Sequence, residues 1–338
     1  MTEHFRTGAR RGQAEIRRFG RTDDRASART KGRFDRANRP PIRQVLVHFP
    51  FMEENQSPGD RRGPKPPGPN VKKEEEHMKL MRSACIEPMY SEIPFLDRFQ
   101  AAKDDGFEFV EFWSWTDKDL DAVKAAAEKA QIGISGFNGD ADFSLIDPTH
   151  KEKYLEFLKQ SVAAAKKIGA LSVTIHSNAL GDGGVVVNHY TELSDTVKIC
   201  SMYDMLLECA KIAEESGVAM NLEPLNITTD HVGNFLAHTQ MAAEMTRLIG
   251  SPKLKVLYDV YHMQLNEGSI CDTIVKNVDQ LGHIHVADAP GRHEPGTGEI
   301  NYHKVFECLE NAGYTGRVGF ELFPLTDTKT AAKAIMSY

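Results

Sequence analysis

Residues 149–177, which decide the fold class, read THKEKYLEFLKQSVAAAKKIGALSVTIHS. Apolar residues recur at helical spacing as far as Gly169, where a left-handed helix stop is expected. The β-branched run LSVTIHS follows at 171–177 and is typical of a buried strand. One helix, one glycine stop and one strand therefore form a unit of the kind that builds parallel α/β sheets.

The same unit repeats along residues 78–338. Eight strand candidates alternate with amphipathic helical stretches, and glycines follow the helices in KDDG, KKIG, EESG and ENAG. The strands are LMRSACI (80–86), FEFVEFW (107–113), IGISGFN (132–138), LSVTIHS (171–177), VAMNLEP (218–224), LKVLYDV (254–260), HIHVADA (283–289) and RVGFELF (317–323). An open, doubly wound sheet shows the same alternation. Eight units in 261 residues favour a closed (β/α)₈ TIM barrel, which typically has about 250.

The first 77 residues differ from the rest in composition. They hold 18 Lys and Arg against 11 Asp and Glu, whereas the remainder holds 23 against 37, and they contain eight of the 16 prolines. Such a segment buries too little apolar surface to fold alone, so we predict a disordered basic tail. It could be a nucleic-acid-binding arm; a transit peptide would be richer in serine and poorer in acids. We favour a translated leader, because codons for Lys73-Glu74-Glu75 can spell a ribosome-binding sequence just before a true start at Met78.

Composition also restricts the location and the partners. Five cysteines are scattered without any CxxC spacing, which is typical of a reducing compartment and predicts a cytoplasmic protein. No apolar run approaches the ~20 residues needed to cross a bilayer, and no secretory signal is present, so we expect no membrane association. The acidic balance of residues 78–338 opposes binding to nucleic acid. The composition is also compatible with a homo-oligomer.

Chemistry in a barrel gathers where the strands end, at the C-terminal face. Four successive strands, the fifth to the eighth, carry Glu223, Asp259, His285 and Glu321 at or near that end. Each one alone could cap a helix or pair with a neighbour. Together they would converge, and three carboxylates would repel one another without a cation. Oxygen and imidazole ligands without thiolate predict a divalent metal, namely Mn²⁺, Mg²⁺ or Co²⁺.

Further polar residues lie around the same face. His176 ends the fourth strand, His262 follows the sixth, and Arg292 lies in the loop ADAPGRHEPGTGEINY. We expect Arg292 to bind substrate, because its planar guanidinium is suited to a carboxylate, although a surface ion pair is the alternative; His176 is a further candidate for substrate binding. Glu111, in the second strand, has no neighbour in sequence that explains it, so a structural role is expected. In FWSWTD, Trp113 or Trp115 lines the pocket or packs against a helix.

These residues resemble those of the hydroxypyruvate isomerase family, within the xylose-isomerase-like barrels. The resemblance runs from about Met78 to the C-terminus and is most specific in GHIHVADAPGRHEPGTGEINY, in NLEPLN and in SEIPFLDRFQAAKDDGFEFVEFW. It implies metal ligation by Glu223, Asp259 and Glu321, with the two glutamates as the acid/base pair. The fourth ligand matches His285. Close family members often have Gln at this position, whereas the related ketose 3-epimerases have His, as this chain does. The resemblance also implies substrate contacts for His262 and Arg292.

The expected reaction is the isomerisation of hydroxypyruvate to tartronate semialdehyde through an enediolate. An isomerase or 3-epimerase of a longer keto-sugar or sugar acid would use the same residues in a wider pocket. A polyol dehydratase is a further alternative on this barrel. A metal-dependent DNA endonuclease would require several metals and more histidine ligands than can be placed at the strand ends. A barrel that only binds a partner would not require the complete ligand set.

Overall fold

Eight parallel strands form the core of the protein, in a computed structural model that describes residues 80–338. Their hydrogen bonds run β1-β2-β3-β4-β5-β6-β7-β8 and close back from β8 to β1. The strands are β1 Met81–Cys85, β2 Phe109–Phe112, β3 Gly133–Asn138, β4 Ser172–His176, β5 Ala219–Glu223, β6 Leu254–Asp259, β7 Leu281–His285 and β8 Arg317–Phe320. The predicted (β/α)₈ barrel is confirmed, and the open sheet is wrong. Predictions for residues 1–77 lie outside the described residues.

Helices surround this barrel and connect its strands. They are α1 Arg98–Asp104, α2 Leu120–Ala130, α3 Lys151–Ile168, α4 Asp195–Ser216, α5 Thr239–Ile249, α6 Val260–Asn266, α7 Ile270–Asn277, α8 Tyr302–Asn311 and α9 Thr328–Met336. Helix α3 shows why these sequences become helices: Tyr154, Leu158, Val162 and Ala165 recur at helical spacing and are buried. It ends at Gly169, whose φ of 76° is the left-handed conformation that glycine adopts without steric cost.

Strand register brings the polar strand ends together. His176 pairs with Glu223 across β4 and β5, and Asp259 pairs with His285 across β6 and β7. Glu321 follows the last residue of β8 directly. Because all eight strands are parallel, these residues meet at one end of the barrel. Among the described residues, none of the helices has the length and apolarity needed to span a membrane.

Candidate active site

The four predicted ligands meet at the C-terminal end of the barrel. One side-chain atom from each of Glu223, Asp259, His285 and Glu321 lies within 4.8 Å of the corresponding atoms of the other three. The first three residues are buried, and Glu321 is partly buried. Convergence of these strand ends is therefore as the sequence predicts. Their roles as ligands remain a proposal, developed below.

Two of the carboxylates are each anchored through one oxygen, while the other oxygen faces the cluster. His176 Nε2 lies 3.1 Å from Glu223 Oε2, whereas Glu223 Oε1 has no hydrogen-bond partner. Asp259 Oδ1 accepts the backbone N–H groups of Tyr261 (2.7 Å) and His262 (3.2 Å), so it caps helix α6. Asp259 Oδ2 is left without a hydrogen bond. Asp259 is thus both the helix cap and a member of the cluster.

The histidine of the cluster follows the same arrangement. His285 Nε2 lies 3.1 Å from Glu111 Oε1, deeper in the barrel. Its Nδ1 has no hydrogen-bond partner and lies 3.4 Å from Glu321 Oε2 and 3.8 Å from Glu223 Oε1. One nitrogen therefore faces Glu111, and the other is directed toward the carboxylates.

Glu321 is held on both oxygens. Trp113 Nε1 donates to its Oε1, and Arg292 donates to its Oε2, each at 2.5 Å. Burial disfavours the charge of Glu321, but the Arg292 guanidinium and His285 outweigh it and keep its pKa well below the usual value. Glu321 is thus an oriented, ionised carboxylate at the edge of the cluster.

The atoms left unpaired in this cluster suit a divalent cation. Buried polar atoms are nearly always hydrogen-bonded, yet Glu223 Oε1, Asp259 Oδ2 and His285 Nδ1 are all unpaired and face one another. Burial, together with the neighbouring Glu223 and Glu321 carboxylates, raises the pKa of Asp259 to about 7 against the opposing effect of Arg292 and His285. A cation would relieve this crowding of negative charge. Two oxygens, one imidazole nitrogen and a nearby carboxylate are a donor set for a hard or borderline ion.

His176 does not stand free in the pocket. Its Nδ1 lies 3.0 Å from Asp140 Oδ1, and its Nε2 faces Glu223, so it bridges two buried carboxylates. Burial lowers the pKa of a histidine, but Asp140 and Glu223 raise that of His176 to about 10. Asp140 was not predicted from the sequence; its position just after β3, at the same end of the barrel, was the available signal. Substrate contact by His176 remains a prediction.

His262 lies behind Asp259 and is 1% exposed. Its Nδ1 accepts from Asn226 Nδ2 at 2.7 Å, which leaves the proton on Nε2, 3.5 Å from Asp259 Oδ2. Burial and the positive charge of Arg292 hold the pKa of His262 well below its usual value, so the ring is neutral. Its predicted substrate contact remains untested, and its observed contact is with the cluster.

His231 is a further histidine that the sequence did not single out. It is 6% exposed, and its ring packs edge-on against that of His262 at 5.1 Å. His231 Nδ1 lies 2.7 Å from the carbonyl oxygen of Gly184, so this nitrogen carries the proton. Nε2 is then an acceptor, and it has no partner. Burial lowers the pKa of His231, which keeps the ring neutral.

Arg292 lies at the mouth of the cluster rather than in a surface ion pair. Its guanidinium lies over the Tyr261 ring at 5.4 Å and pairs with Glu321, while its Nε has no partner. The loop that carries it is held by Asp288, which accepts the backbone N–H groups of Ala289, Gly296, Gly298 and Ile300. Arg292 has a φ of 57°, an uncommon conformation for a residue with a side chain. Asp288 is a supporting residue that sequence reasoning missed.

Of the two tryptophans in FWSWTD, one lines the pocket and the other packs against a helix. Trp113 donates to Glu321 and, together with His285, lines a small cavity beside the cluster. Trp115 instead donates to Ser161 on α3 and packs against Phe157 at 5.9 Å. Glu111, for which the sequence suggested only a structural role, lies within this site. The sequence feature that could have indicated this is the spacing of His283 and His285 in β7. Alternate residues of a strand face the same side, so both imidazoles point into the barrel, toward Glu111.

Comparison with known proteins gives the family that the sequence resembles. Residues 99–338 match the family described as xylose isomerase-like TIM barrel. Hydroxypyruvate isomerase of Escherichia coli (strain K12) is 28% identical over 267 residues, which cover 77% of this chain and 99% of that protein. The 2-oxo-tetronate isomerase of Cupriavidus necator is 31% identical over 268 residues, 76% of this chain and 97% of that protein.

Solved structures agree at the level of fold. A crystal structure of AP endonuclease, family 2, from Brucella melitensis superposes with a TM-score of 0.70 at 24% identity, over 77% of this chain and 99% of that chain. D-psicose 3-epimerase from Clostridium cellulolyticum H10 gives a TM-score of 0.63 at 22% identity, over 75% and 90%. The relatives confirm the predicted kinship with hydroxypyruvate isomerases and, with it, an enzyme of the isomerase class. The chain belongs to the xylose isomerase-like TIM barrel family.

Proposed function

We propose that this protein is a metal-dependent isomerase that interconverts hydroxypyruvate and tartronate semialdehyde. The observation that carries the proposal is the convergence of three unpaired atoms, Glu223 Oε1, Asp259 Oδ2 and His285 Nδ1, beside Glu321. Similarity to a protein named hydroxypyruvate isomerase over 99% of that protein's length supports the choice of reaction. Mn²⁺, Mg²⁺ or Co²⁺ would be held by these four side chains.

The reaction moves one proton between adjacent carbons. A base removes a proton from C3 of hydroxypyruvate, which gives an enediolate, and an acid returns a proton to C2; the hydroxyl proton passes from the oxygen on C3 to the oxygen on C2. No external oxidant or reductant is needed. A divalent cation, when bound, would stabilise the negative charge that develops on the two oxygens.

Glu223 and Glu321 are the proposed acid/base pair. They reach the cluster from the end of β5 and from the residue after β8, two strands that are not neighbours in the barrel. His176 holds Glu223 through Oε2 and leaves Oε1 directed into the cluster. Trp113 and Arg292 hold Glu321 in its ionised form. A positioned carboxylate of this kind typically contributes a factor of about 10²–10⁴ to the rate of proton transfer.

Two unpaired atoms beside the cluster are suited to orient the substrate. Arg292 Nε is a donor that could bind the carboxylate that does not react, and His231 Nε2 is an acceptor that could bind a substrate hydroxyl. Both side chains are largely buried, so a bound substrate would satisfy groups from which water is mostly excluded. A donor for a carboxylate together with an acceptor for a hydroxyl suits a substrate that carries both groups, namely a hydroxy acid.

A second candidate is an isomerase or 3-epimerase of a longer keto-sugar or sugar acid. It is favoured by the 31% identity to a protein named 2-oxo-tetronate isomerase. The same acid/base pair and cation would serve, and only the space beyond Arg292 would differ. We place either reaction in the cytoplasm, because all five cysteines, which lie in the described part of the chain, are free thiols.

Turnover of hydroxypyruvate tests the proposal. The full chain, freed of metal by a chelator and then given Mn²⁺, is assayed for tartronate semialdehyde beside 2-oxo-tetronate and ketose substrates. We expect metal-dependent turnover that falls by about 10²–10⁴ in Glu223→Gln. Glu156→Gln, an exposed glutamate on α3, is the matched control and should keep full activity. Equal activity of the two variants would contradict the assignment, and preference for a longer substrate would establish the second candidate.

A further inference from the structure

Glu111 occupies the interior of the barrel, below the proposed metal site. It is 5% exposed, and its carboxylate lies between the two histidines of β7. Its Oε1 is 3.1 Å from His285 Nε2, and its Oε2 is 3.0 Å from His283 Nε2. Alternate residues of a strand face the same side, so both imidazoles point inward to one carboxylate.

The barrel is built around this carboxylate. The hydroxyls of Ser83 on β1 and Ser135 on β3 lie 3.1 and 2.8 Å from Glu111 Oε2 and 2.7 Å from each other. A Cβ on Gly319 of β8 would lie 2.2 Å from Glu111 Oε1 and 2.8 Å from His283 Nε2, so only glycine leaves the required space. Four strands besides its own, β1, β3, β7 and β8, therefore fix the position of one buried charge.

We propose that Glu111 is a positioning residue for the metal centre, acting through His285. Because a carboxylate only accepts, Glu111 Oε1, which lies 3.1 Å from His285 Nε2, favours a proton on that nitrogen. Nδ1 is then the atom directed at Glu223, Asp259 and Glu321, and it is the unpaired one. The inference rests on the proposed metal site, and it assigns to a residue outside the ligand set the choice of ligating nitrogen.

A second metal ion between Glu111, His283 and His285 is the alternative that the donor types allow. The hydrogen bonds oppose it. Glu111 Oε2 already faces three donors, from Ser83, Ser135 and His283, which leaves no lone pair for an ion. Glu111 Oε1 makes no hydrogen bond, and the ligand-bearing group that it faces is His285 Nε2, at 3.1 Å. Groups that orient a ligating histidine in this way typically change metal affinity by about 10–100-fold when they are lost.

Metal affinity of variants of the full chain tests the proposal. Mn²⁺ binding is measured by calorimetry for the unmodified protein, for Glu111→Gln and for Ser135→Ala. We expect Glu111→Gln to bind Mn²⁺ about 10–100-fold more weakly. Ser135→Ala removes one contact at Oε2 and leaves Glu111 Oε1 facing His285, so its affinity should fall less than that of Glu111→Gln. Equal affinities for all three proteins, or equal losses in both variants, would overturn the role of Glu111. Two ions bound per chain would also overturn it.

A direct measurement on the unmodified chain does not depend on the folding of any variant. Nitrogen-15 NMR of the imidazoles, with Zn²⁺ as a diamagnetic probe, reports which nitrogen of His285 keeps its proton. We expect a proton on Nε2 and none on Nδ1. A proton on Nδ1, with the ion on Nε2, would refute the inference while leaving the metal site in place. If the unmodified chain binds no divalent ion at all, the proposed metal site fails, and the role of Glu111 fails with it.

Discussion

Asp288 fixes the loop that carries Arg292, so replacing it by Asn should loosen this loop without leaving a cavity. Its Oδ1 accepts from Ala289 and Ile300 at 2.9 and 3.1 Å, and its Oδ2 accepts from Gly296 and Gly298 at 2.8 and 2.9 Å. An amide has only one acceptor oxygen, so two of the four backbone N–H groups lose their partner.

The expected loss in the stability of the loop depends on whether the N–H groups that lose their acceptor are buried or exposed. A buried donor left without an acceptor costs about 1–3 kcal/mol, so two would cost about 2–6 kcal/mol. The amide oxygen should turn to the buried Ala289 and Ile300, which leaves the orphaned donors at Gly296 and Gly298. Both glycines are exposed, and water can replace part of what is lost. We therefore expect the lower end of the range, about 2–3 kcal/mol.

Hydrogen exchange measures this cost in the loop itself, because local opening governs the exchange of loop amides. A loss of about 2–3 kcal/mol corresponds to exchange about 30- to 150-fold faster over residues 289–300 in Asp288→Asn. Asp142→Asn, at an exposed aspartate, is the matched control and should leave that segment unchanged. An exchange rate in Asp288→Asn equal to that of the control would refute the reasoning, because the carboxylate would then not hold the loop.

Three further substitutions test other parts of the site. His176→Ala frees Glu223 Oε2, and we expect kcat to fall about 10–100-fold in steady-state assays with little change in KM; an unchanged kcat would contradict this. Arg292→Lys loses the planar fork, so KM for hydroxypyruvate should rise about tenfold, whereas an unaltered KM would remove Arg292 from substrate binding. Gly319→Ala places a Cβ 2.2 Å from Glu111 Oε1 and should lower the unfolding free energy by about 1–3 kcal/mol in urea titrations; parental stability would show that the barrel interior can adjust.

The fold followed from the sequence because its signals are local. Helical periodicity, glycine stops such as Gly169 and Gly217, and β-branched runs each depend on a few neighbouring residues. Once the strands are parallel and closed, their C-terminal ends must meet, so the convergence of Glu223, Asp259 and Glu321 also followed. Only the number of strand–helix units, eight in 261 residues, favoured the closed barrel over an open sheet.

The supporting residues could not be derived in this way because their contacts join distant parts of the chain. Glu111 meets His283 across 172 positions, and Asp140 meets His176 across 36. Which oxygen of a carboxylate is anchored depends on such contacts and has no signature in the sequence. His231 reaches the site through a loop, where no periodicity fixes the direction of a side chain.

The central claim is that one divalent cation binds where the unpaired atoms of Glu223, Asp259 and His285 meet Glu321. Anomalous diffraction from crystals of the full chain grown with Mn²⁺ locates such an ion directly. We predict a single strong anomalous peak bounded by Glu223 Oε1, Asp259 Oδ2, His285 Nδ1 and a Glu321 oxygen. A peak elsewhere in the barrel, or no peak in crystals saturated with Mn²⁺, would contradict the account.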